Sequence, residues 1–282
     1  MRSTCIITDN SAQFTSPGFH NNQGLLLLPH KINYSPDKSM PQGELKVADF
    51  PRHTSLKFSP RIVAPSEDEV FACLEKNLAI YDEIFMILLS KEISPLFNRA
   101  EKISNTLHGH ANLHLIDSQN TSLGLGLIVQ YANELINKQL SPLEIEKSLR
   151  LVIPHVYTLL CTPNLSYLQT AGLLDAGQAV IGEMLSLSPL FLIEEGVLNP
   201  LQKVKNHRSA IDYFIEFVDE FEKLKHVAVI QPSHSGITEI RMLHQHIDEC
   251  YSSCSYSEYL LNPFLASMIG PRGFGIVVME DL

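Results

Sequence analysis

Ile84-Phe85-Met86-Ile87-Leu88-Leu89 is an unbroken apolar run, and Ser90-Lys91-Glu92-Ile93-Ser94-Pro95 leads from it into a periodic segment ending near Leu107. Six consecutive apolar residues between polar ones predict a strand buried on both faces, the kind that a helix-covered parallel sheet contains. Ser94 and Pro95 mark the next start. A serine at the N-cap accepts a hydrogen bond from a free backbone N–H, and proline's fixed φ suits the first helical position. A buried strand, a short turn and a capped helix make half of a βαβ unit, so the fold class read here is α/β, with helices over a parallel sheet.

The same alternation continues on both sides. Upstream, Ser3 to Thr8 and Leu25 to Leu28 read as strands, and Ser66 to Asn77 as a helix opened by the capping box Ser66-Glu67-Asp68-Glu69. Downstream come a strand at Leu113 to Ile116, a helix at Ser122 to Leu140, and another helix opened by Ser141-Pro142-Leu143-Glu144. Residues 34 to 60 are polar, Pro-rich and aperiodic, and read as a loop or small hairpin insertion. After Pro154 the texture changes: a strand at Val156 to Cys161, then a nearly uncharged helical stretch from Asn164 to Met184 broken at Gly172. Leu187 to Ile193 and Val197 to Val204 form a hairpin turning at Glu194-Glu195-Gly196. A surface helix spans Ser209 to Lys225, and Val227 to Ile230, Glu239 to Ile247 and Gly275 to Met279 complete a second α/β unit. The expected organisation is an N-terminal, three-layer, parallel-sheet domain over residues 1–158 and a smaller C-terminal α/β domain over 159–282.

The chain has 282 residues, 45% of them apolar and 18% charged, with a net charge of −10. Average soluble domains carry about 25% charged residues, so the composition excludes disorder and leaves apolar mass for a ligand. An acidic chain whose thickest basic stretch is Lys203, Lys205, His207 and Arg208 has no electrostatic footprint for nucleic acid. There is no run of 18 apolar residues, and the apolar segment before Asp9 is too short for a signal-peptide core, so a cytoplasmic, non-spanning protein is expected. Five cysteines without a C-x2-C pair, Cys250 and Cys254 being the only close ones, predict reduced thiols. No cofactor motif is present.

Ligands of open parallel sheets bind beyond the carboxyl ends of the strands. The polar residues there are Thr8, Asp9, Asn10 and Ser11 after the first strand, Ser90 to Ser94 after the third, and Asp117, Ser118, Gln119 and Asn120 after the fourth. Ser94 leads the candidates, because a hydroxyl beside free N–H groups and a helix dipole suits a carboxylate or phosphate; the plain alternative is a helix cap. Asp9 and Asp117 could form a general acid/base pair, but aspartates after strands ordinarily accept backbone hydrogen bonds in turns. Gly124-Leu125-Gly126 lacks the third glycine of a dinucleotide fingerprint, and tight helix packing explains it more simply. His108, His110 and His114 cross a helix end and a strand start, which does not converge three rings on one metal.

Several motifs together resemble the DegV family of bacterial fatty-acid-binding proteins. The opening Ile6-Ile7-Thr8-Asp9-Asn10-Ser11-Ala12 is similar to its I-V-T-D-S-T-A start, and Leu115-Ile116-Asp117-Ser118 with Ser122-Leu123-Gly124-Leu125-Gly126 to its v-i-D-S and s-x-G-x-G segments. Leu165-Ser166-Tyr167-Leu168, Ala171-Gly172-Leu173-Leu174 and the tail Ile269-Gly270-Pro271-Arg272-Gly273-Phe274-Gly275-Ile276 stand where the family has L-x-Y-L, G-G-R-I and h-x-G-P-G-x-x-G. The resemblance implies a two-domain DegV-like fold with one fatty acid, its carboxylate at the domain interface and its acyl chain in an apolar tunnel of the second domain. It further implies a lipid carrier without catalytic residues, whose bound acid a separate kinase subunit phosphorylates.

Carried over residue by residue, Ser94 matches the serine of L-S-G-T, and Ile62 replaces the threonine of T-S-Q-P-S. Leu173 replaces the arginine of G-G-R-I, Lys205 that of K-v-R-t, Ser188 the lysine of i-K-P, and Met268 the histidine before G-P-G. The implied headgroup set is Ser94, Ile62, Ser118, Met268 and Arg272, with Arg272, Arg61 and Lys205 as candidate substitutes for the lost partners. The implied tail set is Leu173, Met184, Leu187, Phe191, Ile193 and Phe274. Burying about fourteen methylenes at ~0.8 kcal/mol each gives ~11 kcal/mol, against ~1.5–3 for one carboxylate hydrogen bond, so the tail can sustain affinity when a headgroup partner is lost. Two other readings remain: a transferase or hydrolase using Asp9, Asp117 and Ser94, and a diverged regulatory protein without lipid.

Overall fold

The computed structural model describes residues 3–35, 38–41, 45–54, 60–107, 112–185, 188–232 and 238–282. In chain order its elements are β1 (Thr4–Asp9), β2 (Leu25–Leu28), β3 (Lys31–Ser35), β4 (Lys38–Pro41), β5 (Arg61–Val63), α1 (Glu67–Leu78), β6 (Glu83–Leu88), α2 (Leu96–Thr106), β7 (Leu113–Asp117), α3 (Ser122–Asn137) and α4 (Pro142–Val152). There follow β8 (Val156–Cys161), α5 (Leu165–Thr170), α6 (Ala176–Met184), β9 (Ser188–Glu194), β10 (Val197–Val204), α7 (His207–Val218), β11 (Leu224–Gln231), α8 (Thr238–Cys250), β12 (Ser255–Leu260), α9 (Pro263–Ile269) and β13 (Phe274–Glu280). These divide into two compact units, one of residues 1–31, 63–154 and 195–197, the other of 32–62, 155–194 and 198–282.

The first unit is the parallel-sheet half. Its strands run β2-β1-β6-β7, every pair parallel. In β1 and β6 every residue after the first is buried, as a strand covered on both faces requires. Helix α1 packs with α2 and α3 with α4. Both predicted capping boxes form, Ser66 with Glu69 and Ser141 with Glu144. Helix α3 is buried almost all round and passes so close to the preceding chain that a Cβ on Gly126 would lie 1.7 Å from the Gln13 carbonyl oxygen. Tight packing is therefore what this glycine serves.

The second unit is built on a six-stranded mixed sheet ordered β10-β9-β8-β13-β11-β12. Strand β8 is antiparallel to β9 and β13, β13 antiparallel to β11, and β11 parallel to β12. One face carries a core of Leu159, Leu190, Phe274, Ile276 and Val229 under Phe214 of α7 and Leu243 of α8. Gly172 adopts a left-handed φ of 77° between α5 and α6, which is the expected break.

Several boundaries differ from expectation. Residues 32–62 group with the second unit, which is consequently the larger, and the division near 158 falls at 154/155. Part of this segment is regular: β3, β4 and β5 pair in the order β4-β3-β5. Helix α2 has Pro95 at its N-cap, one residue later than predicted, yet Ser94 Oγ still accepts from Leu96 N–H at 3.3 Å. Helix α3 stops at Asn137 because Gln139 turns to φ 59°. Helix α7 ends at Val218, and Lys225 lies in β11.

Candidate functional site

The carboxyl ends of β1, β2 and β6 carry a buried polar cluster. Asp9 closes β1, its Oδ1 accepting from Ser11 N–H at 3.0 Å and its Oδ2 from Leu89 N–H at 2.9 Å. Asn10 then fixes the chain after β2, accepting from His30 N–H at 2.7 Å and donating through Nδ2 to the His30 carbonyl at 3.2 Å. This clamp brings the His30 ring between two loops: Nδ1 is 3.6 Å from Asp9 Oδ1, and Nε2 is 3.3 Å from Ser94 Oγ. Asp9 and His30 are fully buried and Ser94 is 4% exposed. Burial pushes the His30 pKa down, Asp9 opposes that shift, and Arg99 adds to it. The guanidinium of Arg99 donates to the carbonyls of Ala64 at 3.1 Å and Pro65 at 2.6 Å.

Thr8 Oγ1 and Thr121 Oγ1, at the ends of β1 and of the loop before α3, are buried without a hydrogen-bond partner among the described residues. Ser118, after β7, is buried and closes its own turn, donating to the Asn120 carbonyl and accepting from Asn120 N–H, both at 3.2 Å.

Asp9 and Asp117 do not form an acid/base pair. Strand β6 lies between β1 and β7, which separates the strand ends by about 10 Å at the usual strand spacing. Asp117 instead accepts from Gln119 N–H at 3.0 Å, and burial raises its pKa. It lines a cleft of about 550 Å³ with Lys91, Glu101 and Arg150. A larger cleft, about 680 Å³, lies at the other end of the sheet beside Thr4, Glu83 and Ser141. Among the described residues no group of three His, Cys, Asp or Glu could hold a metal ion; His108 and His110 lie outside the described residues, and His114 sits between Glu83 and Glu146 at 3.2 and 3.0 Å.

The remaining candidates belong to the second unit. Ile62 is half-buried on β5, Met268 is buried in α9, and Arg272 is exposed, as are Arg61 and Lys205. Leu173 is half-buried after α5, and Leu187 lies outside the described residues. Two corrections concern the tail set. Met184 is 80% exposed on α6, beside the exposed Val180, Ile181 and Leu185, so it lines no apolar interior in this structure. Phe274 faces the α7 and α8 core, stacking on His207 at 4.2 Å, with Leu190 on the same face. Phe191 and Ile193 alternate with Leu190 along β9 and so point to the opposite face of the sheet. Phe274 and this pair cannot share one wall.

His30 is the residue the sequence reading missed. It follows Leu28-Pro29 at the end of the second strand, where the rule that selected Asp9, Ser94 and Ser118 applies equally.

The chain is similar to known proteins in sequence and in fold. Among curated proteins, the DegV domain-containing protein SAR1438 of Staphylococcus aureus (strain MRSA252) is 22% identical over 99% of this chain and 100% of its own. The fold matches that of DegV, a fatty acid binding protein from Bacillus subtilis, at TM-score 0.79, 21% identity and full coverage of both chains. It also matches the Streptococcus pneumoniae fatty acid kinase B3 protein loaded with linoleic acid, at TM-score 0.82, 18% identity, 99% of this chain and 100% of that one. The DegV family model spans residues 3–281, from the residue before β1 to the residue after β13. With that match over nearly the whole length, the chain belongs to the DegV family.

Proposed function

We infer that the protein binds one long-chain fatty acid without transforming it. Its carboxyl group would sit on the rim of the first unit at Ser94, and its acyl chain would be taken by the apolar second unit, on the side of the sheet that carries Phe191 and Ile193. The observation that carries this reading is the buried Ser94 hydroxyl at the carboxyl end of a parallel sheet, with the unpartnered hydroxyls of Thr8 and Thr121 at neighbouring strand and loop ends. Fatty acids bound by structures of the same fold support the ligand class. A separate kinase subunit is the partner this reading implies, and the likeness to a fatty acid kinase B3 protein supports it.

The hydrolase reading fits less well. Asp9, His30 and Ser94 stand in the order of a nucleophilic triad, but acyl transfer also needs donors for the developing oxyanion. The Ile93 and Ser94 N–H groups both donate to the Ser90 carbonyl, Pro95 has no N–H, and Leu96 N–H donates to Ser94 Oγ. The amides nearest to Ser94 are thus already engaged.

Organic extraction of freshly purified protein, followed by mass spectrometry, is expected to release about one long-chain acid per chain. Extraction that yields no lipid, together with failure of delipidated protein to take up linoleate, overturns the reading. Mixing the loaded protein with ATP alone is expected to leave the acid unphosphorylated.

A further inference from the structure

A carboxylate placed on the buried rim needs its charge balanced, because an unpaired buried charge is costly and ordinarily neutralises instead. In the first unit, the Arg99 guanidinium is engaged by the Ala64 and Pro65 carbonyls, while Arg61, Arg272 and Lys205 are exposed and belong to the second unit. The titratable side chain within hydrogen-bonding reach of Ser94 Oγ is His30, at 3.3 Å.

We propose that His30 is the proton-binding partner of the headgroup: when a fatty acid occupies the rim, its carboxylate is held by the Ser94 hydroxyl and balanced by the imidazolium of His30, which Asp9 steadies from the other side. The proposal rests on the fatty-acid reading above.

Hydrogen-bond counting shows what one proton changes. A serine hydroxyl donates once and accepts twice, and Ser94 Oγ already accepts from Leu96 N–H. With the neutral ring's proton on Nδ1, the side of the Asp9 carboxylate, Nε2 accepts from the Ser94 hydroxyl, which then has no proton for a ligand. With Nε2 protonated, the ring donates to Ser94 Oγ, both acceptor positions are filled, and the O–H turns to a carboxylate oxygen. A ligand arriving as the neutral acid supplies the proton itself: Ser94 passes its hydroxyl proton to Nε2 and takes the acid's, leaving carboxylate and imidazolium. A ligand arriving ionised draws the proton from water. No covalent bond other than O–H and N–H is made or broken.

The charged groups facing the ring agree with this role. From β1, Asp9 is an anion fixed by two backbone N–H groups, 3.6 Å from Nδ1, placed to favour the imidazolium. From α2, Arg99 disfavours it, and burial disfavours it further, so the unliganded ring is neutral until a second negative charge arrives. Binding of an ionised acid with uptake of one proton must then weaken as pH rises, about tenfold per pH unit where the free ring is neutral and the bound ring charged.

The test is calorimetric titration of delipidated protein with linoleate at pH 7.5, in buffers of different ionisation enthalpy, whose slope counts protons. The expected result is about one proton taken up per acid bound. The variant His30→Gln is expected to take up none and to bind linoleate at least tenfold more weakly, while its affinity for linoleyl alcohol, which carries no charge, stays within threefold of wild type. Linoleate binding by the wild type with no proton uptake overturns the proposal, whether or not the variant folds. Equal weakening toward acid and alcohol in a folded variant also overturns it, since that pattern marks a structural role. No linoleate binding by the wild type overturns the fatty-acid reading itself.

Discussion

A Cβ at position 126 would sit 1.7 Å from the Gln13 carbonyl oxygen, far inside contact distance and against backbone that a rotamer change cannot move. Gly126→Ala is therefore expected to lower unfolding stability by about 2–3 kcal/mol, as overpacking does, read as a shift in denaturant midpoint at unchanged slope. Ser94→Ala acts on the site and on the start of α2: losing one hydrogen bond to a charged group costs ~1.5–3 kcal/mol, so linoleate affinity is expected to fall about 10- to 150-fold, while loss of the Leu96 N–H acceptor lowers stability by about 1 kcal/mol. Both residues were legible in the sequence, for local reasons: Gly-x-Gly inside an apolar helix signals close approach, and Ser-Pro after a buried strand places a hydroxyl at a helix start. His30 was not singled out, because its significance lies in partners far along the chain. Asn10 turns its backbone, and Ser94, 64 positions away, meets its ring. The tail set meets the same limit at Phe191 and Phe274. Phe191 and Phe274 are both apolar and buried, but only strand alternation in the assembled sheet shows that they face opposite ways.

At the scale of elements, the helix starts were the most readable feature because capping chemistry is confined to four residues. Glu69 shows how much it does. Its carboxylate accepts from Ser66 N–H at 2.8 Å and pairs with Lys31 at 2.9 Å, and these bonds, Ser66 first, hold its pKa at about 2 against the ordinary 4.5 of a glutamate. A folded-state pKa below the unfolded one contributes stability above pH 4.5 that is lost as pH falls toward 2. Glu69→Gln keeps a capping-box side chain but no charge, so it is expected to be less stable than wild type at pH 7 by under about 1 kcal/mol, given the exposure of the pair. Thermal melts across the range should show that gap closing by about pH 2. Ends and short elements were harder to read. Phe221 keeps the 3.6-residue period of Phe214 and Val218, so the α7 pattern reads as running on, although Phe221 packs on the core from the turn that follows. Helix α9 is seven residues long and buried from Phe264 to Ile269, hence without periodicity, and its one local signal is Asn262 before Pro263, whose side chain accepts from Leu265 N–H at 2.7 Å.

For the whole molecule, the change of texture after Pro154 lies where the two units divide, four residues before the boundary expected at 158, whereas the membership of residues 32–62 was hidden because nothing local in a polar, Pro-rich stretch says which core it joins. Two buried thiols allow each half to be followed separately: Cys5 in the first unit and Cys161 in the second, each with its pKa pushed up to about 12 by burial. Exposed Cys250 is expected to react with a thiol reagent in the native state, while Cys5 and Cys161 react only as their surroundings unfold. A ligand that binds only folded protein stabilises it by about 2.7 kcal/mol at a hundredfold excess over its Kd. Ser94 and Cys5 both belong to the first unit, so a fatty acid held at Ser94 extends that stabilisation to Cys5. In a urea series with mass-spectrometric readout, saturating linoleate is therefore expected to move the labelling midpoint of Cys5 upward. A Cys5 midpoint that stays in place at saturating linoleate, whatever Cys161 does, would remove the headgroup from Ser94.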